Sequence, residues 1–168
     1  MNIGIRSWRI EDSPNLAKAL NNKNILDNLR DGIPFPYTVS DAESFISAML
    51  SSDPETTHVW AITVNDTAVG SIGAFRKDNV HRLTAEMGYY VAEEYWGKGI
   101  VTKAVKLACQ YIFNHTDIVR IFAEPYANNV ASCRVLEKAG FTFEGTLRKN
   151  AIKNDSLVDM KMYALIKE

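Results

Sequence analysis

The sequence predicts an α/β or α+β domain built on one sheet of about seven strands, and three observations carry that expectation. Apolar, β-rich runs recur along the chain with helical stretches inserted among them, a pattern that puts helices against a sheet. No repeat, low-complexity tract or Pro/Gly/Ser linker divides the 168 residues, so residues 1–168 read as a single domain of ordinary size. With 46% hydrophobic and 23% charged residues, the chain has enough apolar surface to offset the entropy of ordering itself.

The elements follow in order. Ile3–Trp8 reads as a first strand. Ser13-Pro14 marks a helix start, Ser13 as cap and Pro14 at the first helical position, and short helical stretches cover about Asn15–Asn21 and Asn24–Leu29. Pro34 and Pro36 forbid a regular element around Phe35 and Tyr37. Ser40-Asp-Ala-Glu43 has the form of a capping box and opens a helix to about Leu50. His58–Val64 and Ala68–Arg76 are strands joined by the hairpin signal Asn65-Asp66-Thr67. In the next strand, Thr84–Val91, alternation assigns Ala85, Met87, Tyr89 and Val91 to the core face and Glu86, Gly88 and Tyr90 to the other. Ile100, Ala104, Leu107, Ala108, Tyr111 and Ile112 recur at helical spacing up to about His115. Val119–Ala123 is a fifth strand, Ser132 to Ala139 a helix stopped by Gly140, and Thr142–Arg148 and Leu157–Ile166 are closing strands.

Composition excludes several function classes. No apolar run approaches the roughly 18 residues that span a bilayer, so no membrane is expected. The first residues lack the apolar segment of a secretory signal, and two cysteines suit a reduced, cytoplasmic protein. A net charge of −1 argues against general nucleic-acid binding. His58, His81 and His115 show no metal-ligand spacing, and Cys109 and Cys133 lie on apolar helix faces, so no metal is expected. The near-neutral total hides a split. Residues 1–94 carry 8 basic and 13 acidic side chains, a net of −5, and residues 95–168 carry 11 and 7, a net of +4. The split suits an anionic partner on one part and a cationic one on the other, and uneven surface charge would read the same way.

Two stretches hold chemistry. Glu93-Glu-Tyr-Trp-Gly-Lys-Gly-Ile-Val-Thr102 runs from a strand end through two glycines into a helix, where free N–H groups and the positive dipole end suit phosphate oxygens. It is not a Walker loop, since Lys98 is followed by Gly99, nor a dinucleotide fingerprint, since Thr102 stands where that needs glycine. The second stretch, Asn128-Asn129-Val-Ala-Ser132 to Glu137-Lys138-Ala-Gly140-Phe141, is a capped helix with a hydroxyl in its first turn.

Together these stretches resemble the GNAT superfamily of acetyl-CoA-dependent N-acetyltransferases. Glu94-Tyr95-Trp96-Gly97-Lys98-Gly99 stands where that family has Gln/Arg-x-x-Gly-x-Gly/Ala, and Asn129-x-x-Ser132…Glu137-Lys138-x-Gly140-Phe141 matches its second segment. Pro34–Tyr37, Ala85-Glu-Met-Gly-Tyr89, Trp96–Gly99 and Glu144-Gly-Thr-Leu-Arg148 through Asp159 make it similar to the branch of ribosomal-protein N-terminal alanine acetyltransferases. Glu94 departs from the Gln/Arg pattern and removes a basic side chain from the pyrophosphate, which Lys98, Lys103 or Arg134 would have to replace.

The resemblance implies a mixed, mostly antiparallel sheet splayed after the fourth strand, past Val91, with the pantetheine arm of acetyl-CoA in the gap. It implies that Trp96, Gly97, Lys98, Gly99, Ile100, Val101 and Thr102 hold the pyrophosphate, and that an N–H near Val91 or Ala92 faces the thioester oxygen. Asn129 would bond the pantetheine arm. No metal enters this chemistry. Homodimers are common among such relatives.

The acid–base groups follow from the reaction: an ammonium must lose a proton and a departing thiolate welcomes one. Glu86, on the non-core face beside Gly88, is the candidate base, the competing reading being an ion-paired strand carboxylate. The resemblance implies that the Ser132 hydroxyl lies near the CoA sulfur, which makes it the first candidate acid, otherwise a small helix-packing residue, and Tyr126 is its rival. The resemblance implies that Phe35 and Tyr37, whose loop could equally be a surface turn, line the acceptor site with Glu86 and Tyr90. An α-amine with pKa near 8 needs about one unit of deprotonation at neutral pH, against about three for a lysine or polyamine near 10.4, some 4 kcal/mol. This favours a protein N-terminus, ribosomal in view of the branch; a small-molecule amine acetyltransferase (polyamine, amino sugar or amino-acid derivative) and a non-catalytic CoA sensor are the alternatives.

Overall fold

Asn65 and Asp66 both adopt positive φ, 49° and 67°, which makes the tight two-residue turn that keeps flanking strands twisted together. That turn joins β2 (Thr57–Val64) to β3 (Thr67–Arg76) in the computed structural model, which describes residues 1–168. β1 (Ile3–Arg6) pairs antiparallel with β2, and β4 (Thr84–Val91) antiparallel with β3. β5 (Arg120–Ala123) runs parallel to β4, and β7 (Ser156–Ile166) lies between β5 and β6 (Thr142–Lys153). The result is one seven-stranded sheet in the order β1-β2-β3-β4-β5-β7-β6, mixed and mostly antiparallel as expected.

Helices cover both faces. α1 (Ser13–Leu20), α2 (Lys23–Leu26) and α3 (Val39–Leu50) lie on one side, and α4 (Ile100–His115) and α5 (Val130–Lys138) on the other. The alternation of β4 is what separates them: Ala85, Met87 and Val91 are buried with Ile100, Ala104, Ile112 and Leu136 of α4 and α5. The opposite core gathers Trp8, Leu16, Leu20, Tyr37 and Ile46 against Ala61 and Ala68. Each fully buried Ile or Leu contributes about 1.5–3 kcal/mol, so each face has its own hydrophobic anchor. No helix is long and apolar enough to cross a membrane.

Two helix starts differ from expectation. Ser13 is the first helical residue of α1 rather than its cap, and its hydroxyl donates to the Ile10 carbonyl (2.6 Å). Asp12 precedes it, but its carboxylate is taken by Arg6 (2.8 and 2.9 Å) and the Arg9 amide (2.9 Å). α3 starts two residues before the expected box: Thr38 Oγ1 accepts from the Asp41 amide (3.0 Å), and Asp41 accepts from the Thr38 amide (2.9 Å). At α1 the Asp12 and Ser13 side chains are taken by partners outside the helix's free amides, and at α3 an equivalent box forms two residues earlier.

The feature that positions the site is a gap. β4 pairs with β5 only over Thr84–Glu86, opposite Arg120–Phe122. From Met87 to Val91 the β5 side of β4 has no strand, so the sheet splays past Glu86, earlier than the expected point past Val91.

Candidate active site

The open edge of β4 offers backbone groups in a fixed phase. Ala92 N–H donates to Val69 O (2.8 Å), which sets the alternation of the β3–β4 ladder. Antiparallel bonding then turns Glu86, Gly88 and Tyr90 toward β3, and Tyr89 and Val91 toward the gap. The Val91 carbonyl accepts from the Trp96 indole N–H (3.1 Å), so the start of the next segment is pinned to this edge. Ala92 is thereby corrected as a donor to a thioester, because its N–H is already spent.

Beyond a short 3-10 turn at Glu93–Tyr95, Gly97 and Gly99 take φ of 72° and 75°, left-handed values that cost other residues about 1–2 kcal/mol. Gly99 is the cap of α4 and provides no side-chain acceptor for its first turn. No backbone or side-chain acceptor in the chain engages the N–H groups of residues 97 to 102. Consecutive free amides at the positive end of a 16-residue helix form a concavity suited to a pyrophosphate. The Lys98 ammonium sits 5.5 Å from the Tyr95 ring centroid beside it. Glu94 turns away toward Lys18 of α1 (3.9 Å).

A hydroxyl pair faces the gap from the α5 side. Asn129 Oδ1 accepts from the Ser132 amide (3.2 Å), capping α5 and placing the serine in its first turn. Ser132 Oγ lies 2.8 Å from the Tyr89 hydroxyl, which also reaches the Ser132 carbonyl (3.3 Å). Burial pushes the Tyr89 phenol well above its ordinary range, and Ser132 draws it only partly back. The phenol therefore keeps its proton and can resupply the serine. Tyr89 was expected only as a core residue; the signal for its second role was a tyrosine on a buried face, whose hydroxyl must find a partner. Cys133, next to Ser132, is buried, and burial pushes the Cys109 thiol up to about 12, so neither resembles an activated nucleophile.

The opposite side of the gap is acidic and aromatic. Glu86 projects from β4 toward the α1–α3 side, half-buried, with Lys77 Nζ at 3.7 Å. Gly88 beside it is open: a Cβ there would meet nothing within 4 Å. Tyr90 lies next to Tyr37 and Ser71, and burial raises its phenol first, the Tyr37 charge second. Tyr37 is itself buried and held through its backbone amide and carbonyl by the Asn21 side chain. Phe35 is exposed under the Lys23 ammonium (5.3 Å).

Residues 2–142 match the Acetyltransferase (GNAT) domain family. The chain belongs to the GNAT acetyltransferase family. Among its relatives, a Bacillus subtilis protein described as "Probable N-acetyltransferase YjcK" is 37% identical over 102 residues, 61% of this chain and 56% of that protein. The chain thus spans little more than half the length of that relative. A solved structure of RimL, a ribosomal alpha-N-protein acetyltransferase in complex with coenzyme A, superposes with a TM-score of 0.87 at 21% identity, covering 99% of this chain and 95% of that one. Spermidine N-acetyltransferase from Vibrio cholerae, in complex with CoA and spermine, gives 0.81 at 20% identity, covering 98% and 95%.

Within this GNAT domain the expected residues divide. Val91, Trp96 to Thr102, Asn129 and Ser132 gather around the gap and the α4 N-terminus, joined there by the unexpected Tyr89, while Arg134 lies exposed on α5. Tyr126 does not present its hydroxyl to the reaction. It is 4% exposed, donates to the Leu29 carbonyl (3.0 Å) and carries the Arg30 guanidinium over its ring at 5.0 Å. The rival acid is therefore corrected to a tie between the β5–α5 connection and the segment after α2. That segment is fastened again by Lys153 to Asp31 (2.9 Å) and Asn154 to Asp27 (3.0 Å), contacts across more than 120 residues that local sequence does not announce. No cluster of three or more His, Cys, Asp or Glu side chains is placed to hold a metal.

Proposed function

We propose that the chain transfers the acetyl group of acetyl-CoA to the N-terminal α-amine of a protein, with a ribosomal protein as the acceptor class. One observation carries the reading: a hydroxyl pair and a carboxylate stand on opposite sides of a strand edge whose free amides continue into the unsatisfied N-terminus of α4. The amides of residues 97–102 hold the pyrophosphate, the edge of Tyr89 and Val91 pairs with the pantetheine arm, and an N–H of that edge meets the thioester oxygen. Asn129 supports the same arm while capping α5.

The two sides then divide the proton traffic. The ammonium enters beside Gly88 and gives one proton to the Glu86 side, directly or through water. The freed lone pair forms the C–N bond as the C–S bond breaks, and the thiolate takes a proton from the Ser132–Tyr89 pair, which solvent refills. Alignment in one ternary complex supplies about 7–11 kcal/mol of barrier reduction, so modest acid–base groups suffice. The single deprotonation asked of an α-amine suits this equipment better than the larger one of a polyamine.

The test is thiol release from acetyl-CoA by the purified protein over a panel of peptides and small amines. Release with Ala- or Ser-starting peptides, abolished when their N-terminus is blocked, is the expected result. Release with spermidine or amino sugars alone would replace the acceptor class, and CoA binding without release from any amine would make the chain a sensor.

A further inference from the structure

Glu124 follows the last residue of β5, at the point where β4 and β5 part. Its chemistry did not emerge from the sequence, where it is one more acidic residue before a proline. Glu86 is the Cα partner of Phe122, so Glu124, two residues on, leaves the sheet on the same face as Glu86. Phe122 shares that face, with the Lys77 ammonium at 5.9 Å from its ring centroid and the Arg120 guanidinium, itself paired with Glu144, also at 5.9 Å. Arg30 approaches from the α2 side, but its bond is to the Glu124 backbone carbonyl (2.8 Å), not to the carboxylate.

The two carboxylates are consequently unlike. Glu86 has an ammonium at 3.7 Å. The half-buried Glu124 carboxylate has no hydrogen-bond or ion-pair partner in the chain, whereas Glu93, Glu137 and Glu144 all have one. We infer that Glu124 works with Glu86 as a proton-accepting pair on the acceptor side, Glu86 meeting the incoming ammonium and Glu124 holding the proton it gives up. This rests on the acetyl transfer proposed above.

Burial first, and then the charge of Glu86, push the Glu124 carboxyl above its ordinary value, with Arg30 and Lys77 drawing it partly back. A carboxyl raised in this way is a better proton acceptor near neutral pH. The balance closes. Of the three N–H protons of the ammonium, one passes to Glu124, one leaves to solvent once the C–N bond has formed, and one stays in the amide. CoA departs as a thiol with the proton from the hydroxyl pair, and Glu124 returns its own to solvent before the next turnover.

The test compares Glu124→Gln, Glu86→Gln, the double variant and Glu124→Asp, with CoA affinity and thermal melting measured on each. Glu124→Gln is expected to lower turnover of an Ala-starting peptide about 100-fold or more while CoA affinity holds. The double variant is expected to be no slower than the worse single one, as members of one unit are not additive. Glu124→Asp is expected to recover part of the loss. A carboxyl titration by 13C NMR adds a readout that packing alone would not move: the Glu124 signal titrates above the ordinary glutamate range, and in Glu86→Gln it falls, because a like charge has gone. Turnover of Glu124→Gln within threefold of wild type, or a Glu124 titration that ignores Glu86→Gln, overturns the inference. A wild-type protein that acetylates no amine instead overturns the acetyl-transfer reading itself.

Discussion

The α5 side and the α2 side of the gap meet the same five residues of β4, yet they are assembled by different means. On the α5 side most contributors are local. Trp96 reaches back five residues to Val91, Asn129 reaches on three to Ser132, and only the Tyr89–Ser132 contact joins distant segments. On the α2 side almost nothing is local. Tyr126 holds Leu29 across 97 residues, Lys153 holds Asp31 across 122, and Glu124 gains its environment from Glu86 and Arg30. Under the proposed function, a fixed cofactor is met by short-range geometry, whereas an acceptor side made of long-range ties can change its lining without disturbing the cofactor side.

If the comparison holds, variants on one side leave the other side's affinity intact. Beyond the carboxylate variants, the largest expected effect is at the hydroxyl pair. Ser132→Ala and Tyr89→Phe each lower turnover about tenfold to 100-fold, at the modest end for acid–base groups because a thiolate with pKa near 8.5 is already a fair leaving group. A double variant with the product of the two losses would show that they do not act as a pair. Gly99→Ala comes next: a Cβ at φ of 75° costs about 1–2 kcal/mol, which a turn that relaxes in the free protein must supply again on binding, a roughly fivefold to 30-fold loss of CoA affinity by calorimetry with the acceptor KM unchanged. Smallest is Tyr126→Phe. Losing the bond to the Leu29 carbonyl costs about 1 kcal/mol, expected as a roughly fivefold rise in the peptide KM with CoA affinity unchanged. An altered CoA affinity there would break the division between the two sides.

The same contrast explains what the amino-acid sequence disclosed. Strand alternation in Thr84–Val91 and helical spacing from Ile100 to His115 are short-range properties, and both elements occur at the residues the pattern marks. The glycines at 97 and 99 were legible because left-handed backbone selects glycine. The α3 cap was misplaced because Thr38 and Asp41 answer each other as well as Ser40 and Glu43 would. Tyr126 misled because its position in the chain says nothing of Leu29. Glu124 was invisible for the same reason: its character depends on where β4 and β5 part, and pairing length is a property of the whole sheet.

The strand order β5-β7-β6 has a consequence for synthesis. β7 is the inner neighbour of β5, and β6, made before it, has no other strand to pair with. On a growing chain the four-stranded meander and α4 can assemble first, whereas β6 pairs only as β7 emerges, from Lys153–Ser156 at the turn back to Thr142–Ala164 at its start. The bridge from Tyr126 to Met160 and the bond from Ala127 N–H to Asp159 O wait with it. A nascent chain of this protein therefore completes the glycine turn at residues 97–99 well before the ties from Lys153 to Asp31 and from Asn154 to Asp27 can form.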